Sequence, residues 1–339
     1  MRSEGEFNHA HIPNAINIPL FSNEERKEVG TAYKQESREK AIKLGLDFFG
    51  PKMRKIVEQV EELICNKQFA IGRNNEEQLL NANSIFIYCW RGGMRSGAVA
   101  WLLNLYGFKI YRLTEGYKAY RNEVLKAFTF PYSFQVIGGF TGSGKTEVLH
   151  QLRKKGEATV DLEGSAHHKG SAFGNINMPA QPTQEMFENR LAQALWAIPE
   201  GQPIWVEDES QRIGNLNVPG PLWLRMRRSP ILFLDIPFKE RLAHIKEEYG
   251  ALPHEALTQS ILRINKRLGG LETKTALNYL DQNDLKSCFT ILLSYYDKHY
   301  LKGLNNRENL DALLKKIYCS EVTPQNADLL VADPVSNSF

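Results

Sequence analysis

Two short stretches carry residues whose types and spacing can do chemistry. The first is Gly139-Phe140-Thr141-Gly142-Ser143-Gly144-Lys145-Thr146, of the form G-x-x-x-x-G-K-[ST]. Its glycines let consecutive backbone N–H groups turn inward onto phosphate, Lys145 adds a point charge, and the Thr146 hydroxyl can hold Mg²⁺. The expected phosphate ligands are Gly139, Gly142, Ser143, Gly144, Lys145 and Thr146. A Gly-rich turn without a ligand is the plain alternative, and the flanks argue against it. Phe134 to Ile137 reads as a strand, and Glu147 to Arg153 as a helix whose N-terminus completes an anion site. The second stretch is Cys89-Trp90-Arg91-Gly92-Gly93-Met94-Arg95-Ser96, between the apolar run 84–88 and a helical pattern at 98–103. A cysteine in such a loop faces several N–H groups, and Arg91 and Arg95 add positive charge. Both effects lower a thiol's pKa and build an anion pocket, to which Gly92, Gly93 and Ser96 also belong. For Cys65, Cys288 and Cys319 the plain reading, a buried structural cysteine, is preferred.

Stepping outward, strands alternate with helices around both stretches. The pattern predicts strands at 84–88, 109–113, 134–137, 158–160, 203–210 and 229–235, and helices over 23–45, 53–64, 118–128 and 185–198. Residues 238–317 read as mostly helical. The two prolines Pro13 and Pro19 suggest a turn followed by a short edge strand. The fold class is therefore α/β: an N-terminal domain over 1–129, then a P-loop domain over 132–320 built on a doubly wound parallel sheet with a helical C-terminal part. Residues 321–339 are expected to be a flexible tail. Asp161, Glu207 and Asp235 end strands of one sheet, so each could help hold Mg²⁺; Asp161 and Glu207 are favoured.

Bulk numbers exclude several classes. The chain has 339 residues and a net charge of +3. Residues 1–130 hold 19 Lys and Arg against 15 Asp and Glu, so neither half is basic enough to argue for nucleic acid by itself. Four cysteines without C-x-x-C spacing fit a reducing cytoplasm better than a disulfide framework or a zinc site. His167-His168 lacks a partner at ligand spacing. No apolar run approaches the roughly 20 residues of a membrane span, and the opening seven residues resemble no secretory leader. Arg225, Arg227 and Arg228 beside Trp223, and Arg263, Lys266 and Arg267, read either as contacts to RNA phosphates or as solvated faces.

Cys89-x5-Arg95-Ser96 fits the cysteine phosphatase spacing. The opening Phe7…His11-Ile12-Pro13-Asn14-Ala15-Ile16-Asn17-Ile18-Pro19 instead resembles the rhodanese signature, as does Thr114-Glu115-Gly116-Tyr117. A rhodanese-like domain ahead of a P-loop resembles the tRNA 2-selenouridine synthase family. The match extends to Asp161-Leu162-Glu163-Gly164, His168 to Gly174, Glu207 to Ser210 and Arg267 to Gly270. The family's first strand, ending in Asp-Val-Arg, has no counterpart before Met1, so the first domain is expected to be one strand short.

The resemblance implies a selenium-transferring enzyme with geranyltransferase activity and no prosthetic group. Its partner would be tRNA bearing 2-thiouridine at the wobble position. Geranyl diphosphate would alkylate that sulfur, making it a leaving group. Selenophosphate would then deliver selenium by way of a selanyl adduct on Cys89, assisted by Arg91 and Arg95. The P-loop would hold the geranyl donor's diphosphate, with Mg²⁺. The rivals are a cysteine phosphatase and a plain sulfurtransferase fused to a P-loop domain.

Overall fold

The computed structural model describes residues 1–71 and 84–332. The chain divides into two units, Met1–Lys126 and Ala127–Phe339.

In the first unit, strand β1 (Ser84–Ile87) pairs in parallel with β2 (Lys109–Arg112), with Ile85 opposite Ile110. The helix Met94–Tyr106 crosses between them and ends at Gly107, whose φ of 109° suits glycine. Helices Asn23–Gln35, Arg38–Phe49 and Met53–Ile71 precede the sheet, each of the first two capped by a serine. Leu20, Phe21, Phe49, Ile56, Val60, Val99 and Leu103 form the buried core here. The opening differs from expectation. Glu4–His9 is a helix, started by Ser3 and by Glu6, whose carboxylate accepts from the Ser3 N–H at 3.1 Å. The turn after Pro13 forms, with Asn14 at φ 64°, but residues 15–20 make no strand. Ile18 and Leu20 are held by burial instead.

The second unit is a five-stranded parallel sheet in the order β4-β5-β3-β8-β9. Its strands are β3 (Phe134–Gly139), β4 (Thr159–Val160), β5 (Ile204–Glu207), then β8 (Ile231–Asp235) and β9 (Leu314–Tyr318); a small antiparallel pair, β6 (Arg212–Ile213) and β7 (Leu216–Asn217), lies between β5 and β8 in sequence. β3 is buried along its whole length, as a central parallel strand requires. Strand order reverses direction around β3, so the loop after it lies at the switch point where α/β sheets place their ligands. Helices Phe238–Tyr249, His254–Arg263, Gly270–Asp281 and Leu285–Asn305 enclose a second core of Leu257, Ile261, Ala276, Leu280, Phe289 and Leu292.

Two expectations for the end of the chain are corrected. Leu314–Tyr318, read as the end of a helical stretch, is the edge strand β9, in register with β8 from Ile231↔Leu314 to Asp235↔Tyr318. Without it the β8 backbone would be left unpaired on one side. Residues 321–332 do not fray. Asn326–Ala332 is a helix that buries Ala327 and Leu330 among Val148, Leu149 and Leu152 of the P-loop helix, and Asp328 pairs with Lys155 at 2.5 Å. Residues 333–339 of the expected tail lie outside the described residues.

Because Leu330 is fully buried, Leu330→Ala should cost about 2–5 kcal/mol in guanidinium unfolding. A loss within about 0.5 kcal/mol, the usual surface value, would mean that this segment contributes no core.

Candidate active site: a thiol loop and a phosphate loop

The Cys89 loop is shaped by the turn that follows β2. The Tyr117 N–H donates to the Cys89 carbonyl at 2.9 Å, and the Lys118 N–H to that of Trp90 at 3.0 Å. The packing is close enough to demand glycine at two places. A Cβ on Gly92 (φ 63°) would lie 2.8 Å from Leu113 O, and one on Gly116 (φ 64°) 2.4 Å from Cys89 O. Cys89 is buried, with its Sγ 3.3 Å from Ser96 Oγ, and Ser96 leads into the helix Met94–Tyr106. Burial pushes the thiol up. The Ser96 hydroxyl, the backbone N–H groups of Ser96 and Arg91 and the charge of Arg95 outweigh it, so the thiol titrates below its ordinary range. Arg91 thus acts through its N–H, while its side chain is exposed.

Arg95 brings a partner that the sequence reading missed. It forms a fork on Glu6, with Nη1 2.7 Å from Oε2 and Nη2 3.4 Å from Oε1, and Arg26 reaches the same carboxylate at 2.8 Å. Burial pushes Glu6 up, but Arg95, the Ser3 N–H and Arg26 together hold it below the usual carboxylate range. The signal was the S-x-x-E box at the chain's start. The opening also meets the loop through Arg2, whose guanidinium lies 4.2 Å from the Tyr117 ring centroid and 5.3 Å from that of Trp90. Cys288 and Cys319 are buried, with thiols pushed up to about 11 by burial and then by nearby carboxylates; Cys65, expected buried, is exposed.

The phosphate loop joins β3 to the helix Lys145–Lys154. Gly142 and Gly144 have φ of 78° and 71°, and a Cβ on either would strike Ile245 or Val322 at 2.7–2.8 Å. Lys145 Nζ rests on the Gly139 carbonyl at 3.1 Å. Ser143 is buried and its Oγ has no partner. The loop is braced from outside by residues distant in sequence. Buried Arg241 donates to Thr141 O at 3.1 Å and forks onto Asp297 at 2.8 and 2.9 Å. The Tyr300 hydroxyl accepts from the Gly139 N–H at 3.1 Å and donates to Asp208 at 2.7 Å; Arg307 also pairs with Asp208.

Carboxylates surround Thr146, though in a different arrangement from the one expected. Asp161 caps its own helix, accepting from the Gly164 N–H at 2.6 Å, and meets His150 at 3.0 Å. The acid beside Thr146 is Glu163, whose Oε2 accepts from Oγ1 at 3.0 Å. Glu207 is wholly buried: one oxygen accepts from the Leu162 N–H at 3.3 Å and the other has no partner. Burial, then the charges of neighbouring acids, pushes both Glu207 and Glu209 well above the carboxylate range, and burial raises Glu163 too. Asp235 lies at the end of β8, with its charge felt by Cys319. His167 is engaged by Ala180 O and Arg190. Among the described residues no set of three His, Cys, Asp or Glu is arranged to hold a metal. A P-loop cation needs fewer, since phosphate oxygens and water complete its shell.

Comparison with known proteins fits both halves. Residues 1–123 match the rhodanese-like domain family, and residues 132–255 match the tRNA 2-selenouridine synthase AAA domain. A tRNA 2-selenouridine synthase from Bdellovibrio bacteriovorus is 33% identical, over 91% of this chain and 88% of its own. The chain belongs to the tRNA 2-selenouridine synthase family. Members named alike from Pseudomonas syringae and Shewanella frigidimarina are 36% and 32% identical, over 79% and 91% of this chain and 74% and 88% of theirs. The family assignment brings together the thiol loop and the phosphate loop that the two units contain separately. No described helix is long and apolar enough to cross a membrane.

If Ser96 stabilises the Cys89 thiolate, Ser96→Ala should move the inflection of Cys89 alkylation by iodoacetamide to higher pH. The thiol gains ionised fraction as pH rises through its pKa, so the variant should react more slowly at neutral pH. Mass spectrometry must resolve the site, because Cys65, unlike buried Cys89, is exposed and reacts as well. An unmoved inflection removes Ser96 from the pocket.

Proposed function

We propose that this chain replaces the sulfur of wobble-position 2-thiouridine in tRNA with selenium, in two steps. In the first, the 2-thio sulfur attacks C1 of geranyl diphosphate. A C–S bond forms, the C–O bond breaks, and diphosphate leaves. In the second, selenophosphate is held at the Cys89 loop and its selenium attacks C2: a C2–Se bond forms, the C2–S bond breaks, and geranylthiolate leaves and takes up a proton; water then splits the Se–P bond, so that phosphate leaves and selenium stays on C2. Alkylation makes sense of the order, since a bare thiolate leaves C2 poorly and a thiol leaves more easily. The observation that carries the reading is the thiol of Cys89, held below its ordinary pKa by Ser96, Arg91 and Arg95 in a pocket that suits an anion, in a chain whose relatives are named tRNA 2-selenouridine synthase.

The P-loop is assigned to the diphosphate of the geranyl donor. Lys145 and the backbone N–H groups from Gly142 to Thr146 meet its charge. Mg²⁺ suits the same place. Thr146, Glu163 and the unpartnered oxygen of Glu207 are hard donors, and that orphaned oxygen is a polar atom waiting for a cation or a proton. The cation would neutralise the leaving diphosphate.

Nucleoside mass spectrometry tests the reading. Thiolated tRNA with geranyl diphosphate alone should yield S-geranyl-2-thiouridine, and 2-selenouridine should need selenophosphate as well. Lys145→Ala should lower geranylation by about 10²-fold or more, the scale of losing an anion-stabilising group. Cys89→Ser should let the geranylated nucleoside accumulate. If both variants stop at one step, the division of labour is wrong.

The carboxylates give a separate pH dependence. Glu163 and Glu207 are both raised by burial, so each keeps its proton to a higher pH than an ordinary carboxylate, and a cation must compete with that proton. Mg²⁺ affinity, read by calorimetry with geranyl diphosphate present, should therefore tighten as pH rises, and proton release should show as a buffer-dependent heat. Heats identical in two buffers of different ionisation enthalpy would remove these glutamates from the cation site.

A further inference from the structure

We propose that the tRNA backbone lies on a track along the second unit, from Arg267 through the helix Leu285–Asn305 to Trp223, and ends at the P-loop pocket. The inference rests on the tRNA-modifying reading above and assigns the surface that the substrate uses.

The track is a series of ring contacts, hydrogen bonds and neighbouring charges. At one end Arg267 acts on the Tyr295 hydroxyl by its charge, and the Tyr295 ring packs edge-on against His299, with centroids 4.5 Å apart. Lys302 stands three residues further along the same helix and, like Arg267, acts on His299 by its charge. The next link is Gly303, whose carbonyl accepts from Arg227 Nη1 at 3.0 Å. The Arg227 guanidinium lies 5.5 Å from the Trp223 ring centroid. The Trp223 indole N–H donates to the Glu209 carbonyl at 3.3 Å. Glu209 and Glu163 act on one another by their charges, and Glu163 receives the Thr146 hydroxyl. A succession of neighbouring groups therefore runs from exposed Arg267 to the phosphate loop.

Its chemistry suits a single-stranded or looped RNA. Cations (Arg267, Lys302, Arg227) alternate with planar rings (Tyr295, His299, Trp223), the pairing of phosphate contacts with base-stacking platforms. His299 is held below its ordinary pKa by partial burial and by its two cationic neighbours, so at neutral pH it offers a neutral ring. The acid on the same helix, Asp297, is turned to buried Arg241 and does not offset the track. Exposed Arg225 and Arg228 widen the basic end near Trp223, although Glu308 sits 3.8 Å from Arg228. Net charge of the whole chain is only +3, so binding must come from such a local arrangement.

The test is anisotropy of labelled 2-thiouridine tRNA over a salt series, with the full chain, the pair Arg267→Glu/Lys302→Glu, the pair Arg267→Gln/Lys302→Gln and the control pair Lys154→Glu/Lys316→Glu, two exposed lysines of the same unit that make none of the track's contacts. The Glu pair should weaken binding by about ten-fold or more. The Gln pair should flatten the slope of log affinity against log salt by about 1.4–1.8, the share of two phosphates. The control pair should stay within about two-fold of wild type. Melting curves shared by the Gln pair and wild type establish that the fold is intact. Track variants that bind as tightly as wild type with an unchanged slope overturn the track alone. Equal losses in the control pair also overturn it, because binding would then follow overall charge. A wild-type chain that binds no tRNA overturns the functional reading and the track with it.

Discussion

The half-buried carboxylate of Asp208, paired with buried Arg307, is the interaction on which the second unit depends. It follows β5 directly, and it is met by the Tyr300 hydroxyl and by the Arg307 guanidinium, whose side chain is 1% exposed. A charge removed from water this completely is tolerated only when paired, and taking away one partner of such a pair costs about 3–5 kcal/mol. The constraint is structural before it is chemical. Tyr300 can accept from the Gly139 N–H only while Asp208 holds its own proton donor in place. The P-loop's first glycine is therefore fixed by a residue about 160 positions away, itself held by Asp208. Arg307 adds a second tie, reaching the carbonyls of Met226 and Arg227. Sheet, loop and C-terminal helices are in this way one packed object.

The thiol loop solves a different problem with similar means. Its anion is the protein's own sulfur, so it must be stabilised without being exposed to water. Backbone N–H groups do this at little entropic cost, because Gly92 and Gly116 let two turns approach where any side chain would collide. The same need explains why Tyr117 and Trp90 close the far side with Arg2 stacked on both. Hydrogen bonds outweigh burial at Cys89; at Cys288 and Cys319 burial wins, and those thiols stay inert.

Much of this was legible in the sequence, for physical reasons. G-x-x-x-x-G-K-T and Cys89-x5-Arg95 are local devices: each works through consecutive backbone groups, so spacing alone reveals it. The strands carrying them are short apolar runs, which pattern also reveals. The supports were illegible because they are distant. Nothing adjacent to Arg241, Asp297, Tyr300 or Arg307 announces a P-loop. Asp161 shows a related ambiguity: an acid after a strand can be either a cation ligand or a helix cap, and here it accepts from the Gly164 N–H and meets His150. Glu163, two residues on, took the place beside Thr146. The end of the chain misled because Leu314–Tyr318 is a strand only by virtue of β8, and Ala327 and Leu330 are a helix face only by virtue of the P-loop helix.

Glu6 changes what the thiol pocket can accept. An arginine facing open solvent would take any oxyanion of suitable size. Here Arg95 already gives two of its five N–H donors to a carboxylate shared with Arg26. An incoming anion must use the donors that remain, or displace a partner that is itself held by the Ser3 N–H. The guanidinium is thereby fixed in orientation and partly neutralised, which raises the threshold for weakly charged ligands. It leaves the backbone N–H groups around Cys89 as the unshielded half of the pocket. A tetrahedral donor with several negative oxygens can engage both halves at once, whereas a monoanion can engage one. On the proposed chemistry, selectivity for a phosphoryl-type donor over a smaller anion would rest on Glu6, which bonds Arg95 and not the thiol.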